Sequence, residues 1–287
     1  MKTIAAPDPD TRAPDFKLPR GACDAHCHVF GPGDRFPYAA SRKYTPPDSP
    51  KENLKQLHST LGVERAVIVQ ASCHGTDNSA MLDAIASSGG HYRGVCNAAD
   101  SFTSDDYAEL HEGGIRGVRF NFVRHLGGAP DYEKMFRIIA QVRHFNWHVE
   151  LHVDAGDLLE LEDVMDAIPL PVVIDHMGRT PVADGLDQAP FQGLLQKLRS
   201  SANIWVKISG AERISATGPP FADAATFGAA CVEAAPDRCI WGTDWPHPNV
   251  KYMPNDGDLV DIIPLMIPDP ELQHRVLVDN PARLFEF

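Results

Sequence analysis

Asp24-Ala25-His26-Cys27-His28, close to the N-terminus, decides how the rest of the chain is read. The five residues end a short run, starting at Gly21, that reads as a buried β-strand. Strand side chains alternate with period two, so His26 and His28 share a face. Two imidazoles on one face are half of a metal site, which a distant His and Asp would complete. Two more clusters follow the same plan: Asp175-His176-Met177-Gly178, and Trp241-Gly242-Thr243-Asp244-Trp245-Pro246-His247. Each closes a strand-like run. Polar chemistry at the C-terminal ends of well-separated strands is the arrangement of a (β/α)8 barrel. Any one of these histidines reads equally well as a hydrogen-bonded core residue; the set in this order does not.

Working outward, apolar segments rich in β-branched residues alternate with helical stretches. Strands are expected at about 22–29, 63–71, 92–98, 115–122, 148–153, 171–176, 204–209 and 239–244. Helices are expected at about 50–61, 78–88, 104–112, 131–144, 157–167, 188–200, 222–235 and 270–278. Eight strands separated by helices give an α/β fold, a single-domain (β/α)8 TIM barrel over 21–287. The competing open doubly wound sheet lacks its glycine-rich turn after the first strand. Residues 1–20 hold four prolines and no periodicity, and read as an extended or disordered N-terminal arm. The proline-rich segment 30–50 follows the first strand and is expected over the barrel mouth, where loops carry substrate contacts.

The 287 residues suit one barrel. The formal net charge of −13 argues against nucleic acid or an anionic membrane as partner. A few arginines still suffice to reverse the field inside a pocket. No signal peptide and no apolar run of membrane-spanning length is evident, so the chain reads as cytoplasmic. Its six scattered cysteines then read as reduced small hydrophobes.

Alternation predicts which residues face the lumen. In the first strand Asp24, His26 and His28 are expected inward, with Cys23, Ala25 and Cys27 against the helices. Arg119 and Asn121 follow from the fourth strand, Glu150 and His152 from the fifth, His176 from the sixth, Lys207 and Ser209 from the seventh, and Asp244 from the eighth. His26, His28, His152 and Asp244 form a candidate mononuclear site for one divalent ion, zinc or manganese. Asp244 is the candidate acceptor of a water proton, and His176 a candidate carbonyl-polarising or acid–base group. Lys207 reads either as an anion contact or as a lumen residue paired with Glu150.

Six segments carry a resemblance: DAHCHVFGP (24–32), VIVQASCHGTDN (67–78), LHEGGIRGVRFNF (110–122), VVIDHMGR (172–179), ERISATGPP (212–220) and WGTDWPHPN (241–249). Together they resemble the amidohydrolase superfamily, and within it the 2-pyrone-4,6-dicarboxylate lactonase branch. The resemblance spans nearly everything after residue 20. It implies hydrolysis of a cyclic ester in the breakdown of aromatic compounds. It also implies catalytic roles for His26, His28, His176 and Asp244, and substrate contacts at Arg119, Arg213 and Ser72. Two positions depart from the branch. His152 stands where those enzymes, which work without metal, have Tyr; a His there is a ligand in metal-dependent members. His125 replaces a substrate-binding Arg, with Arg124 beside it.

The expected substrate is a small anionic lactone, either 2-pyrone-4,6-dicarboxylate or a muconolactone-type ring. A metal-dependent non-oxidative decarboxylase, a lactone isomerase and a non-catalytic small-molecule binding protein are the alternatives. Self-association into a homo-oligomer is left open by the sequence.

Overall fold

The computed structural model describes residues 2–287. Eight parallel strands lie in chain order around one sheet: β1 (Cys23–Cys27), β2 (Arg65–Val69), β3 (Tyr92–Cys96), β4 (Ile115–Asn121), β5 (His148–His152), β6 (Val172–Ile174), β7 (Ile204–Lys207) and β8 (Cys239–Ile240). Each falls inside an expected segment. No regular ladder joins β8 to β1. Three backbone hydrogen bonds complete the ring instead: Ala25 N to Trp241 O at 2.8 Å, Asp244 N to His26 O at 2.7 Å, and His28 N to Trp245 O at 2.8 Å.

The helices α1 (Lys51–Leu61), α2 (Ser79–Ala86), α3 (Ser104–Glu112), α4 (Tyr132–Val142), α5 (Glu162–Ala167), α6 (Ala189–Ser200), α7 (Ala211–Ile214) and α8 (Ala225–Ala234) lie between the strands. Their sequences explain them. Asp131 caps α4 by accepting from Glu133 N and Lys134 N, and Met135, Ile138, Ile139 and Val142 then form one buried stripe. α3 starts with a reciprocal Thr103–Asp106 capping box. The stripes pack on outward strand residues such as Ile68, Val118, Leu151, Val172 and Val206. A separate, smaller cluster fills the lumen: Cys23, Ala25, Val67, Val69, Val95, Val173, Trp205 and Ile240, stoppered by Phe285. Two apolar layers on opposite faces of one closed sheet account for the nearly continuous hydrophobicity of the strands.

The first strand departs from simple alternation. Between Asp24 and Cys27 the register against β2 slips, three residues of β1 spanning two of β2, as in a β-bulge. Cys23 and Ala25 therefore point into the lumen, opposite to expectation, and Asp24 points out into the β8 seam. There its carboxylate accepts from Thr243 N at 3.0 Å and Thr243 Oγ1 at 2.6 Å, and meets His58 Nε2 at 3.3 Å. Asp24 is thus a buried latch between β1, the end of β8 and α1. The bulge restores the inward direction for His26 and His28.

Residues 2–20 are extended. Lys2–Thr3 pairs in parallel with Tyr44–Thr45 of the 30–50 loop. Arg12 is held by Asp258 Oδ1 at 2.7 Å and Asp261 Oδ2 at 2.5 Å. These are partly exposed ion pairs, each contributing about 1 kcal/mol or less. All six cysteines are free and buried. Among the described residues no helix is long and apolar enough to cross a membrane.

Candidate functional site

The site lies at the C-terminal ends of the strands, below the 30–50 loop. β1 supplies two imidazoles. His28 Nδ1 lies 2.8 Å from Val69 O. A carbonyl only accepts, so Nδ1 carries the proton. Burial pushes His28 down to about 4, so the ring is neutral at physiological pH. Its Nε2 lone pair then faces Asp244 Oδ1 at 3.2 Å. Two acceptors at that distance call for a proton or a cation between them. His26 has two options. Lys207 Nζ lies 3.0 Å from its Nδ1 and Asp175 Oδ1 lies 3.4 Å from the same atom. Accepting from Lys207 makes Nε2 an N–H donor; donating to Asp175 frees the Nε2 lone pair. That Nε2 is buried without a hydrogen-bond partner, 3.7 Å from Asp244 Oδ1.

His176 and Asp244 reach the site by backbone turns rather than by strand phase. β6 ends at Ile174 and β8 at Ile240, earlier than expected. Inward alternation from Val173 gives Asp175, not His176. The next four residues, His176, Met177, Gly178 and Arg179, all have φ between 52° and 64°. A left-handed residue other than glycine costs about 1–2 kcal/mol, so this turn stores strain. It swings His176 back over the lumen, with Nδ1 2.9 Å from Ser209 Oγ and Nε2 3.7 Å from Asp244 Oδ2. A Cβ on Gly210, itself left-handed, would meet His176 Cβ at 2.8 Å. Only glycine admits the ring there. Asp244 is likewise left-handed, at φ 65°.

Asp244 is buried, and burial alone would raise its pKa. Arg213 and then His176 override this and hold it well below the ordinary carboxylate range. Arg213, from α7, places Nε 2.5 Å from Asp244 Oδ2, bonds the same oxygen through Nη2, and donates from Nη1 to Pro248 O at 3.1 Å. Arg119 donates to Gln70 O at 2.6 Å and lies 3.6 Å from Asp175 Oδ2. Beneath these groups Lys207 is fully buried, bonded to Glu150 and 3.3 Å from Asp175 Oδ1. It is the lumen ion pair and no anion contact.

Asp175, outside the expected set, is central, in contact with His26, Arg119 and Lys207. Strand parity from Val173 marks it in the sequence, a signal hidden by extending the strand to His176. Arg179 is a second site residue outside the expected set. It lines the same cavity as His28, Ser72, Arg119, His152 and His176. His125 and Arg213 line it too. The free volume between these groups is about 30 Å³, room for a water while Arg213 sits on Asp244, so a ring enters only as the guanidinium groups part. A roomier hollow of about 410 Å³ between the arm and α1 has no imidazole or guanidinium in its walls.

Not every expected residue converges. Arg124 is 88% exposed and lies 3.9 Å from Asp157, outside the cavity. Asn121 turns Nδ2 towards Val123 O at 3.4 Å and does not line the cavity. Ser72 Oγ lies 3.5 Å from Tyr44 Oη at the wall. His152 lines the cavity with both ring nitrogens buried and unpartnered. Among the expected site residues, His26, His176 and Asp244 bring ligand atoms within 4.8 Å of one another; His28 and His152 fall in no such group among the described residues. His152 stands apart from them, its ring centroid 5.8 Å from that of His176.

The barrel has counterparts among known proteins. The amidohydrolase family model matches residues 23–287. A 2-pyrone-4,6-dicarboxylate hydrolase of Comamonas testosteroni is 49% identical over 281 residues, covering 95% of this chain and 92% of that protein. A 4-sulfomuconolactone hydrolase of Rhizobium radiobacter is 43% identical over 274 residues, covering 94% and 91%. The crystal structure of an Agrobacterium tumefaciens protein superposes with a TM-score of 0.83 at 30% identity, covering 96% of this chain and 99% of that one.

Proposed function

The chain belongs to the amidohydrolase family, and from that premise we propose that it hydrolyses the ring ester of a small anionic lactone in aromatic-compound catabolism. One observation carries the reading. A buried carboxylate held ionised, Asp244, faces three imidazoles inside a cavity lined by three arginines. The chain's net charge is −13, so a local cluster of guanidinium groups implies an anion to match it. The two relatives described above act on a dicarboxylate and on a sulfonated lactone, both anionic.

In this reading Asp244 takes a proton from a water molecule as the water oxygen attacks the ring carbonyl carbon. The carbonyl oxygen becomes an oxyanion, stabilised by N–H groups of His176, which lines the cavity, and of His26, whose Nε2 lies 3.7 Å from Asp244 Oδ1. The ring C–O bond then breaks, and Asp244 returns the proton to the departing oxygen. The products are an enol or alcohol and a carboxylic acid on one opened chain, and the acid releases its proton to solvent as a carboxylate. Arg119 and Arg213 hold acid groups of the substrate, for which the guanidinium fork is suited. Binding moves Arg213 off Asp244, because one guanidinium cannot serve both carboxylates fully.

The donors also fit a divalent ion. His28 offers a lone pair to a carboxylate, and His26 Nε2 has no partner. His26, His176 and Asp244, whose ligand atoms lie within 4.8 Å of one another, would hold the ion, with His28 Nε2 facing the same carboxylate. Imidazole and carboxylate together suit zinc or manganese. Such an ion would polarise the carbonyl and lower the pKa of bound water.

Wild-type protein incubated with lactones and carboxylic acids, monitored for ring-opening absorbance and for carbon dioxide, tests the reaction class. Ring opening of anionic lactones without carbon dioxide is expected. Carbon dioxide release would indicate a decarboxylase, and an unopened product with a shifted ester an isomerase. Binding without turnover would indicate a non-catalytic receptor.

A further inference from the structure

Three arginines line the cavity, but their guanidinium groups are not equally engaged. Arg213 spends Nε and Nη2 on Asp244 and Nη1 on Pro248 O. Arg119 spends Nη2 on Gln70 O and turns Nη1 towards Asp175. Arg179 meets a single carboxylate, its Nε 2.8 Å from Asp154 Oδ1 in a charge contact that makes no aligned hydrogen bond. Among the described residues its two terminal amino groups have no protein partner, and its side chain is 23% exposed at the cavity rim.

The backbone that presents Arg179 is the strained left-handed turn 176–179. In one helical turn, residues three apart share a face. The turn therefore delivers His176 and Arg179 to the cavity together. Met177 packs in the outer core, and at Gly178 a Cβ would collide with Leu158 Cδ1 at 2.5 Å. Continuing β6 as an extended strand would aim only one of the two inward, because positions 176 and 179 differ in parity. Around Arg179 the cavity wall supplies His152, with two unpartnered ring nitrogens, and His125. No carboxylate besides Asp154 meets its guanidinium. Burial and the nearby charge of Arg213 both weigh against its cation, so the site is short of negative charge.

We propose that Arg179 is a specificity-determining residue that receives a second acid group of the substrate through its two free terminal amino groups. This rests on the lactone reading above, and deepens it by assigning a residue to the second acid group of the ring. Arg119 and Arg213 lie towards the reacting end, close to Asp175 and Asp244. Arg179 sets the selectivity for the acid group remote from it. A planar carboxylate or sulfonate accepts two parallel N–H bonds from that fork, with His152 close by as a further donor.

Pyridine-2,4-dicarboxylate and pyridine-2-carboxylate are planar six-membered probes without an ester, so their binding does not depend on turnover. Calorimetric titration of wild type, Arg179→Met and Arg179→Lys with both acids gives the diacid-to-monoacid affinity ratio. Wild type should favour the diacid. Arg179→Met should collapse that ratio by about 10- to 100-fold, as expected for loss of a charged hydrogen-bonded contact. Arg179→Lys should recover part of it, keeping the charge but losing the fork. Thermal midpoints of the variants report on the turn. An unchanged ratio in Arg179→Met, or a wild type that does not distinguish the acids, overturns the assignment. Equal weakening of both acids also overturns it, since that marks a structural role. If the ratio collapses while the wild type opens no lactone, Arg179 stands and the hydrolase reading falls.

Discussion

Arg213 and Asp244 form a buried ion pair at the mouth of the barrel, with Nε 2.5 Å from Oδ2. The pair ties the proposed base to a proposed substrate receptor. It keeps Asp244 ionised despite burial, and an arriving acid group competes for the same guanidinium. Removing the guanidinium leaves burial opposed only by the imidazoles, so the Asp244 pKa rises. In Arg213→Met the acid limb of the pH profile of kcat/KM should move upward by about one unit or more, the size of shift an adjacent arginine produces. An unmoved limb would separate Arg213 from the ionisation of Asp244.

Asp244→Asn should fold and lose at least about a hundredfold in turnover, because an amide cannot accept the proton. KM should change much less. Steady-state kinetics decide, and a variant keeping more than about a third of wild-type turnover would take proton transfer away from Asp244.

The strands were legible in the sequence because each carries an apolar outward set that only a closed, helix-covered sheet can bury. Arg119, Glu150, His152 and Lys207 followed, since β4, β5 and β7 keep strict alternation up to their ends. Period two fails where the chain leaves strand geometry. The β1 bulge reversed Cys23, Asp24 and Ala25. Left-handed turns, not strand phase, brought in His176, Arg179 and Asp244. Gly178 and Gly210 are the local traces of those turns, but His, Met, Arg and Asp give no sign of positive φ. Arg124 sits beside His125 in sequence, but a shift of one residue in a loop is enough to turn a long side chain to the surface.

Protein purified without chelator should contain close to one equivalent of zinc or manganese by elemental analysis, given the lone pair His28 aims at Asp244. Fewer than about 0.2 equivalents, with full activity in chelator, would show that the imidazoles act as hydrogen-bonding groups alone.

Stability should fall in mild alkali through His247. Burial alone would lower its pKa, but Asp256 and Glu212 raise it to about 10. Asp256 Oδ1 lies 3.0 Å from Nε2 and Glu212 Oε1 3.7 Å from Nδ1. A group raised on folding contributes its full stability below the unfolded value, about 6.5, and loses it as pH climbs towards 10. The thermal midpoint should drop by at least about 2 °C between pH 7 and pH 9, equivalent to roughly 1 kcal/mol in a chain of this size. His247→Gln should be less stable at pH 7 and flat across that window. A wild-type midpoint that does not fall would contradict the charged state of His247.

The most direct measurement of the central claim is turnover of 2-pyrone-4,6-dicarboxylate and of a muconolactone-type acid in water enriched in oxygen-18, with mass analysis of the product. Hydrolysis by attack of water on the ring carbonyl predicts an opened product carrying one heavy oxygen, located in the newly formed carboxylate. An opened product with the label in the enol or alcohol, an unlabelled isomer that is still cyclic, or loss of carbon dioxide would contradict it.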